Sequence, residues 1–367
     1  MRLNNRVNLS ALACIGLLLS CTGCDKSDTP ACESISPATP EAAPPKPVDI
    51  AAASATPTAP TAPSTPADGN PYFIRSRSGS QSRAAIRAPA DEIRGKSFFW
   101  KVTADDGSFV YLLGSVHVAN KGMYPLPKVI EDAFAACPNL VVEVNEDAVD
   151  QVKLMQTVVE RGMYKAGDTI TKHLSEKGNK ALKEFDAKSG LPLGYQMMKP
   201  WLVAVTITLT ELQKLGFDPS LGIDKHFMAA AKKADKKVLE LESVEFQLGV
   251  MSGFSDELQE KFLISTILEI STIKTEFDKM IQAWKDGDVE NMEKMLFRQL
   301  KEEPELKPVY DKLFFERNAG MAGKIEGYLK SRQPHFVVMG AGHLVGDKGI
   351  VKLLTDKKYK MEQVGTR

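Results

Sequence analysis

"SFFWKVTADDGSFVYLLGSVHV", Ser97 to Val118, reads as two strands folded back on each other. Aromatic and β-branched residues fill both halves, and Asp105-Asp106-Gly107 between them is a hairpin signal. The second half stops at Gly114, and His117 follows three residues later. Moving outward, "LPKVIEDAFAAC" has the spacing of an amphipathic helix and "NLVVEVN" is a short buried strand. The local order is therefore strand, strand, helix, strand. More than two hundred residues further on, "HFVVMGAGHLVG" ends another run of β-formers with the same G-x-x-H, now Gly340 and His343.

Between these ends lies a long helical middle, roughly Asp147 to Leu300. "KPWLVAVTITLTELQKLG" is apolar nearly all round and predicts a buried helix. "GIDKHFMAAAKKADK" is another helix, "KVLELES" a strand, and "AWKDGDVENMEKMLFRQLKEE" a pair of helices broken at Asp-Gly-Asp. "YDKLFFERNAGMAGKIEGYLKS" and "GIVKLLTDKK" are helical, and "YKMEQV" supplies a last strand. Strands at both ends with helices between predict an α/β fold, a mixed sheet flanked by helices, in a single domain over residues 96–367.

The 367 residues carry 47 basic and 47 acidic side chains, so the formal net charge is zero. That balance argues against a nucleic-acid partner, which selects for a basic surplus. Of five cysteines only Cys137 lies in the predicted domain, so its core has to stand without an internal disulfide.

The N-terminus has a different character. Arg2 and Arg6 precede an apolar run from Leu9 to Leu19, which is the charged and hydrophobic layout of a secretory signal. The run is too short for a spanning helix. It ends in "LLSC", Leu18 to Cys21, which resembles the bacterial lipobox and makes Cys21 the expected lipidation site of a signal covering residues 1–24; Cys24 is the alternative. A redox or zinc pair formed by Cys21 and Cys24 would need a folded context that this segment lacks. Residues 25–95 hold twelve of the 21 prolines amid Ala, Ser and Thr, and read as an extended tether. Arg75, Arg77, Arg83 and Arg87 at its end are read as a solvated linker.

Glycine lets a backbone bend sharply or approach a ligand closely, and strand ends are where α/β sheets bind ligands. His117 and His343 therefore stand where side chains reach a cleft. Glu143 sits within the apolar "VVEVN", and a buried carboxylate requires a partner such as a metal or a protonated histidine. Two imidazoles and a carboxylate on adjacent strand ends form a three-ligand site with room for water. Glu242 shares a strand face with Glu240 by two-residue alternation, and either joins the site or lies on a solvated edge. Asp224, near the start of its helix, is read chiefly as a cap. His173 and His226 are read as surface residues and His335 as incidental. No H-E-x-x-H, G-x-S-x-G or P-loop pattern occurs.

The predicted domain resembles the TraB/PrgY/GumN family, which includes the Tiki proteases and is distantly similar to erythromycin esterases and ChaN-like lipoproteins. The likeness rests on "FFWKV", "LLGSVHV", "VVEVN", "KPWLVA", "GIDKHF", "LELESVEFQ", "AWKDGD", "ERNAGMAGKI" and "VVMGAGHLVGDKGI", in that order. It implies an erythromycin esterase/ChaN-like fold and a metal-dependent peptidase centre built on His117, His343 and Glu143. The expected cofactor is a divalent cation, manganese, cobalt or zinc, and the expected substrate a peptide or protein. Glu143 is either a ligand or the general base, with Glu242 a further candidate, and Arg317 and Asn318 are either oxyanion donors or a surface salt bridge and a helix polar face. The lipid anchor would place the chain in the bacterial envelope, at the outer membrane facing the periplasm if Cys21 carries it. Two alternatives stand beside this reading: a metal-independent, esterase-like hydrolase, and a non-catalytic lipoprotein that binds haem or a signalling peptide. The absence of C-x-x-C-H and the core-filler look of the 14 methionines weigh against haem.

Overall fold

Six strands form one mixed sheet in the order β4-β3-β5-β2-β1-β6. The structure, a computed structural model, describes residues 95–365; the signal, Cys21 and the tether lie outside them. The strands are β1 (Lys96–Thr103), β2 (Phe109–Ser115), β3 (Asn139–Val142), β4 (Lys237–Glu240), β5 (His335–Gly340) and β6 (Lys360–Gly365). β1 and β2 are the expected antiparallel hairpin, closed at Gly107, whose φ of 83° suits a residue without Cβ. β6 pairs antiparallel with the other side of β1. β5 inserts between β2 and β3, parallel to both, and β4 continues the parallel part beyond β3.

The helices in chain order are α1 (Lys128–Ala136), α2 (Gln151–Gly162), α3 (Glu176–Ser189), α4 (Pro200–Lys214), α5 (Ile223–Lys233), α6 (Val244–Ser252) and α7 (Asp256–Glu269). They continue with α8 (Ile273–Lys285), α9 (Val289–Leu296), α10 (Arg298–Glu302), α11 (Lys307–Tyr310), α12 (Glu316–Lys330) and α13 (Ile350–Asp356). A π turn over Asp311–Phe315 joins α11 to α12. α4 is the buried helix its composition predicts: proline opens its first turn, and Trp201, Val203, Ala204 and Val205 are almost wholly enclosed. The Asp-Gly-Asp break separates α8 from α9, with Gly287 at φ 62° and Asp288 capping α9 through the Asn291 amide.

Parallel strands buried on both faces need helices on both sides, and this sheet has them. Phe98, Phe99, Leu112, Leu113, Leu140, Val141, Phe336 and Val337 are all essentially inaccessible. Phe336 packs its ring against Phe99, Phe134 and Phe227, tying β5 to β1, α1 and α5. Among the described residues no helix is long and apolar enough to cross a membrane. The arrangement aligns the carboxyl ends of β3, β5 and β2 side by side, and the candidate residues follow those three ends.

Candidate functional site

His117 lies just past the end of β2, where Ile223 N–H donates to the Val116 carbonyl at 3.1 Å. That bond draws the first turn of α5 against the histidine. A Cβ on Gly222 would stand 2.6 Å from the His117 carbonyl oxygen, so glycine is required for this approach. Asp224 is thereby delivered to the site. Its Oδ1 accepts from Ser115 Oγ at 2.9 Å and lies 3.4 Å from His117 Nδ1. The cap role expected of Asp224 is corrected here: Gly222 is the cap residue of α5, and Asp224 serves the histidine.

Glu143 immediately follows β3 and is 8 % exposed. The pairing of β3 with β4 continues past both strands, with Glu242 N–H donating to the Glu143 carbonyl at 2.8 Å. This sets Glu143 and Glu242 side by side, both turned inward. The strand-face pairing of Glu242 with Glu240 does not survive the end of β4: Glu240 is exposed and accepts from the Asn145 amide at 3.2 Å. Arg317 on α12 bridges the two inward carboxylates. Its Nη2 donates to Glu143 Oε2 at 3.0 Å and to Glu242 Oε2 at 2.7 Å, and its Nη1 donates to the Leu313 carbonyl at 2.8 Å. Gln247 Nε2 donates to the same two carboxylates, each at 3.1 Å. With Oε2 of Glu143 held in this way, Oε1 accepts from the Gly340 amide and points at both histidines.

His343 follows β5 in a single 3-10 turn and is 4 % exposed. Its Nδ1 lies 2.6 Å from Asn318 Oδ1, which accepts from it when that nitrogen carries the proton. Asn318 itself is fixed by donating to the Lys348 carbonyl at 2.8 Å. Nε2 of His343 is then 3.8 Å from Glu143 Oε1, and Nε2 of His117 is 3.9 Å from the same oxygen. Instead of facing the cavity as oxyanion donors, Arg317 and Asn318 stand behind it and orient Glu143 and His343. His173 pairs with Asp168, His226 with Glu131, and buried His335 stacks on Tyr328, all outside the site.

The electrostatics divide the two imidazoles. Burial disfavours the charged form of His117, but Asp224, Glu143 and Glu146 outweigh it and raise its pKa to about 9. Burial and the Arg317 charge drive His343 down to about 3, so it is neutral at neutral pH. Burial pushes Glu143 up, and the histidines, Arg317 and the Gly340 amide bring it down to about 2. Since His343 is uncharged at neutral pH, the ionised Glu143 is held there by Arg317 and the His117 cation.

The three groups border a cavity of about 60 Å³ whose other side-chain walls, Ser115 apart, are apolar. A family model described as TraB/PrgY/gumN matches residues 98–363. The chain belongs to the TraB/PrgY/gumN family. Two curated relatives, each described as uncharacterized protein YbaP, come from Escherichia coli K12 and Shigella flexneri. Each is 24 % identical over 266 residues, 71 % of this chain and 95 % of the relative. No solved structure matches. In this TraB/PrgY/gumN chain the span matched, 98–363, contains every residue of the site just described.

The donor chemistry suits a divalent cation once His117, protonated at neutral pH, gives up its Nε2 proton. Each imidazole has its Nδ1 engaged by a carboxylate or amide oxygen, which turns Nε2 inward as in carboxylate–histidine–metal arrangements. Spacing is looser: among the described residues no three such groups stand at ligand separation. Two bonds of about 2.1 Å at a tetrahedral angle span about 3.4 Å. The observed 3.8 and 3.9 Å therefore need to close by a few tenths of an ångström on loading. Sequence reasoning missed Gln247 and Ser115 as partners, and the amide of Gly340 as a donor. "GID" and "ESVEFQ" were visible as motifs, but nothing local says which distant side chain they meet.

Proposed function

We propose that this chain is a divalent-metal-dependent hydrolase, a peptidase, held in the bacterial cell envelope by a lipid on Cys21. The observation that carries the reading is the convergence of His117 Nε2 and His343 Nε2 on one oxygen of Glu143, with both Nδ1 atoms already engaged. A group arranged in this way is pre-organised for work at the inward-facing atoms. When bound, a manganese, cobalt or zinc ion would supply a Lewis acid that polarises a scissile carbonyl and acidifies water.

The chain's own residues would do the rest. Neutral His343 offers an Nε2 lone pair without first losing a proton. His117, oriented by Asp224, carries its positive charge beside the cavity and would release its Nε2 proton before that nitrogen could meet the ion. Glu143 Oε1 is ionised and lies within reach of both, suited either to bind the ion or to accept a proton from water. Arg317, Gln247 and Asn318 keep these atoms in place. The metal-independent alternative would use the same His117 and Glu143 as acid and base, so metal content separates the two readings.

The test is elemental analysis of the purified chain beside His117→Ala and His343→Ala, each checked for folding by circular dichroism. Near-stoichiometric metal in the parent, reduced at least tenfold in both variants, is the expected result. Metal-free protein after reloading with manganese, cobalt and zinc would overturn the reading.

Gly340→Ala gives a sharper prediction. Its Cβ would meet Glu143 Oε1 at 3.1 Å and His117 Nε2 at 3.2 Å, so the methyl would wedge between the converging atoms. We expect metal affinity to fall by about tenfold or more, the range seen when supporting contacts of ligands are disturbed. Metal titration calorimetry alongside a thermal melt measures it. Unchanged affinity in a folded variant would show that the ion binds elsewhere.

A further inference from the structure

The cavity beside Glu143 and the two histidines has a second wall that the chemistry above does not use. α8 contributes Phe277 and Met280, α9 contributes Met292 and Leu296, and the π turn contributes Phe314. All five are buried, from 0 % exposed at Met292 to 6 % at Met280 and Leu296. No charged side chain stands on this wall, so a charged group lying against it would be desolvated there.

The wall is also anchored. Trp284, near the end of α8, donates from Nε1 to the Gly114 carbonyl at 2.6 Å, tying the helix to the strand end that precedes His117. The Gly287 carbonyl accepts from Gln363 Nε2 of β6 at 2.7 Å. Phe277 packs edge-on against Phe217, and Phe314 packs edge-on against Phe297 with the His343 ring 5.4 Å away. Side chains locked on several sides set the size of a pocket before anything enters it.

We infer that this wall is a specificity subsite that accepts a small aliphatic side chain of the substrate, of alanine to valine size, next to the bond that is cut. The inference rests on the hydrolytic reading and adds a substrate class to it. Size decides between aliphatic and aromatic. An apolar cavity of about 150 Å³ admits a benzene ring. The 60 Å³ here is under half of that and is shared with the Glu143 and histidine side of the same cavity, so a group no larger than isopropyl fits and a phenyl ring does not without displacing Met292 or Leu296. Lysine and arginine are too long for this volume, and the wall offers aspartate or glutamate no hydrogen-bond donor. Met280 and Met292 are the specificity-determining residues, because shortening either enlarges the pocket without touching Glu143, His117 or His343.

The experiment is calorimetric titration of the full chain, in buffer containing manganese, with valine, phenylalanine and lysine hydroxamates as probes. Valine hydroxamate is expected to bind at least about tenfold more tightly than the other two, in line with the discrimination a pocket exerts over one or two methylenes. In Met292→Ala the preference for valine over phenylalanine should shrink to within about threefold. Met292→Val, which removes less volume, should move the ratio in the same direction by less. Equal binding of valine and lysine probes, or an unchanged ratio in both Met292 variants, would overturn the subsite. So would failure of all three probes to bind. Metal content of the same samples tells the two failures apart: metal retained with no discrimination removes only the subsite, and no metal removes the metal-dependent reading with it.

Discussion

Replacing Arg317 by methionine is expected to destabilise the domain by about 3–5 kcal/mol, the range for removing one partner of a buried ion pair. Arg317 is 4 % exposed and is the cation that hydrogen-bonds to both Glu143 and Glu242, themselves 8 % and 9 % exposed. Without it Glu242 would keep only Gln247 as a side-chain donor, and Glu143 would keep Gln247, the Gly340 amide and the His117 charge. At about 2–4 °C per kcal/mol for a domain of this size, the melting temperature should fall by roughly 6–20 °C. Acid sensitivity should change too. Glu143 titrates near 2 when folded, below its ordinary value of 4.5, so its contribution is present above pH 4.5 and lost as pH falls through 2. His343, lowered from 6.5 to about 3, likewise contributes above 6.5 and loses that contribution as pH falls through 3. Losing the Arg317 charge raises both values and flattens the acid limb. Adding Glu242→Gln to the methionine variant should restore part of the loss. A shift below about 1 kcal/mol in urea denaturation would mean that the three groups are solvated, as exposed pairs are.

The second large effect lies away from the site and has the opposite sign. Glu269, at the end of α7, is 7 % exposed. Its Oε1 accepts from Gln299 and from Ser265 Oγ at 3.4 Å, and its Oε2 has no hydrogen-bond partner among the described residues. Burial and the nearby Glu303 raise its pKa from 4.5 to about 9. A carboxyl group raised on folding contributes fully below its unfolded value and loses that contribution as pH rises through the folded one. Glu269 therefore erodes stability from pH 4.5 to 9, by about 3 kcal/mol at pH 7, given about 1.4 kcal/mol per unit. Glu269→Gln keeps the accepting oxygen and removes the titration, so it should be more stable than the parent by roughly 2–4 kcal/mol at pH 7. The gap should widen towards pH 9 and close near pH 4.5. Parallel urea profiles for the two proteins across that range would sink the argument.

Much of this architecture could be read from residue order because each strand carries its own signal. The hairpin from Ser97, the buried α4 and the break at Gly287 were all legible from local composition and turn chemistry. So was the idea that Gly114-x-x-His117 and Gly340-x-x-His343 end neighbouring strands, since glycine after a β run marks where backbone turns into a cleft. Partner choice was not legible. Asp224 has the local features of a helix cap, and only the hydrogen bond from Ile223 to Val116 brings it to His117. Arg317 and Asn318 sit on the inward face of α12, yet periodicity fixes a face and not the atom met across it. Alternation paired Glu240 with Glu242 correctly only while the strand lasted, and β4 ends between them. The apolar wall draws on helices that each look like ordinary core, and their convergence on one cavity is a property of tertiary packing alone.

The place of β5 in the sheet has a consequence for how the chain comes into being. β2 and β3 are made early, but they never touch; the strand that separates them is among the last synthesised. A nascent or truncated chain lacking β5 has a vacant slot where the sheet should be continuous, and it has His117 and Glu143 without His343. Contacts this distant in sequence form slowly, because a long loop must close before they are rewarded. The site is thus a receipt for completion. A fragment released by premature termination or by proteolysis ahead of residue 335 cannot assemble the His117–Glu143–His343 centre, whatever else in it folds.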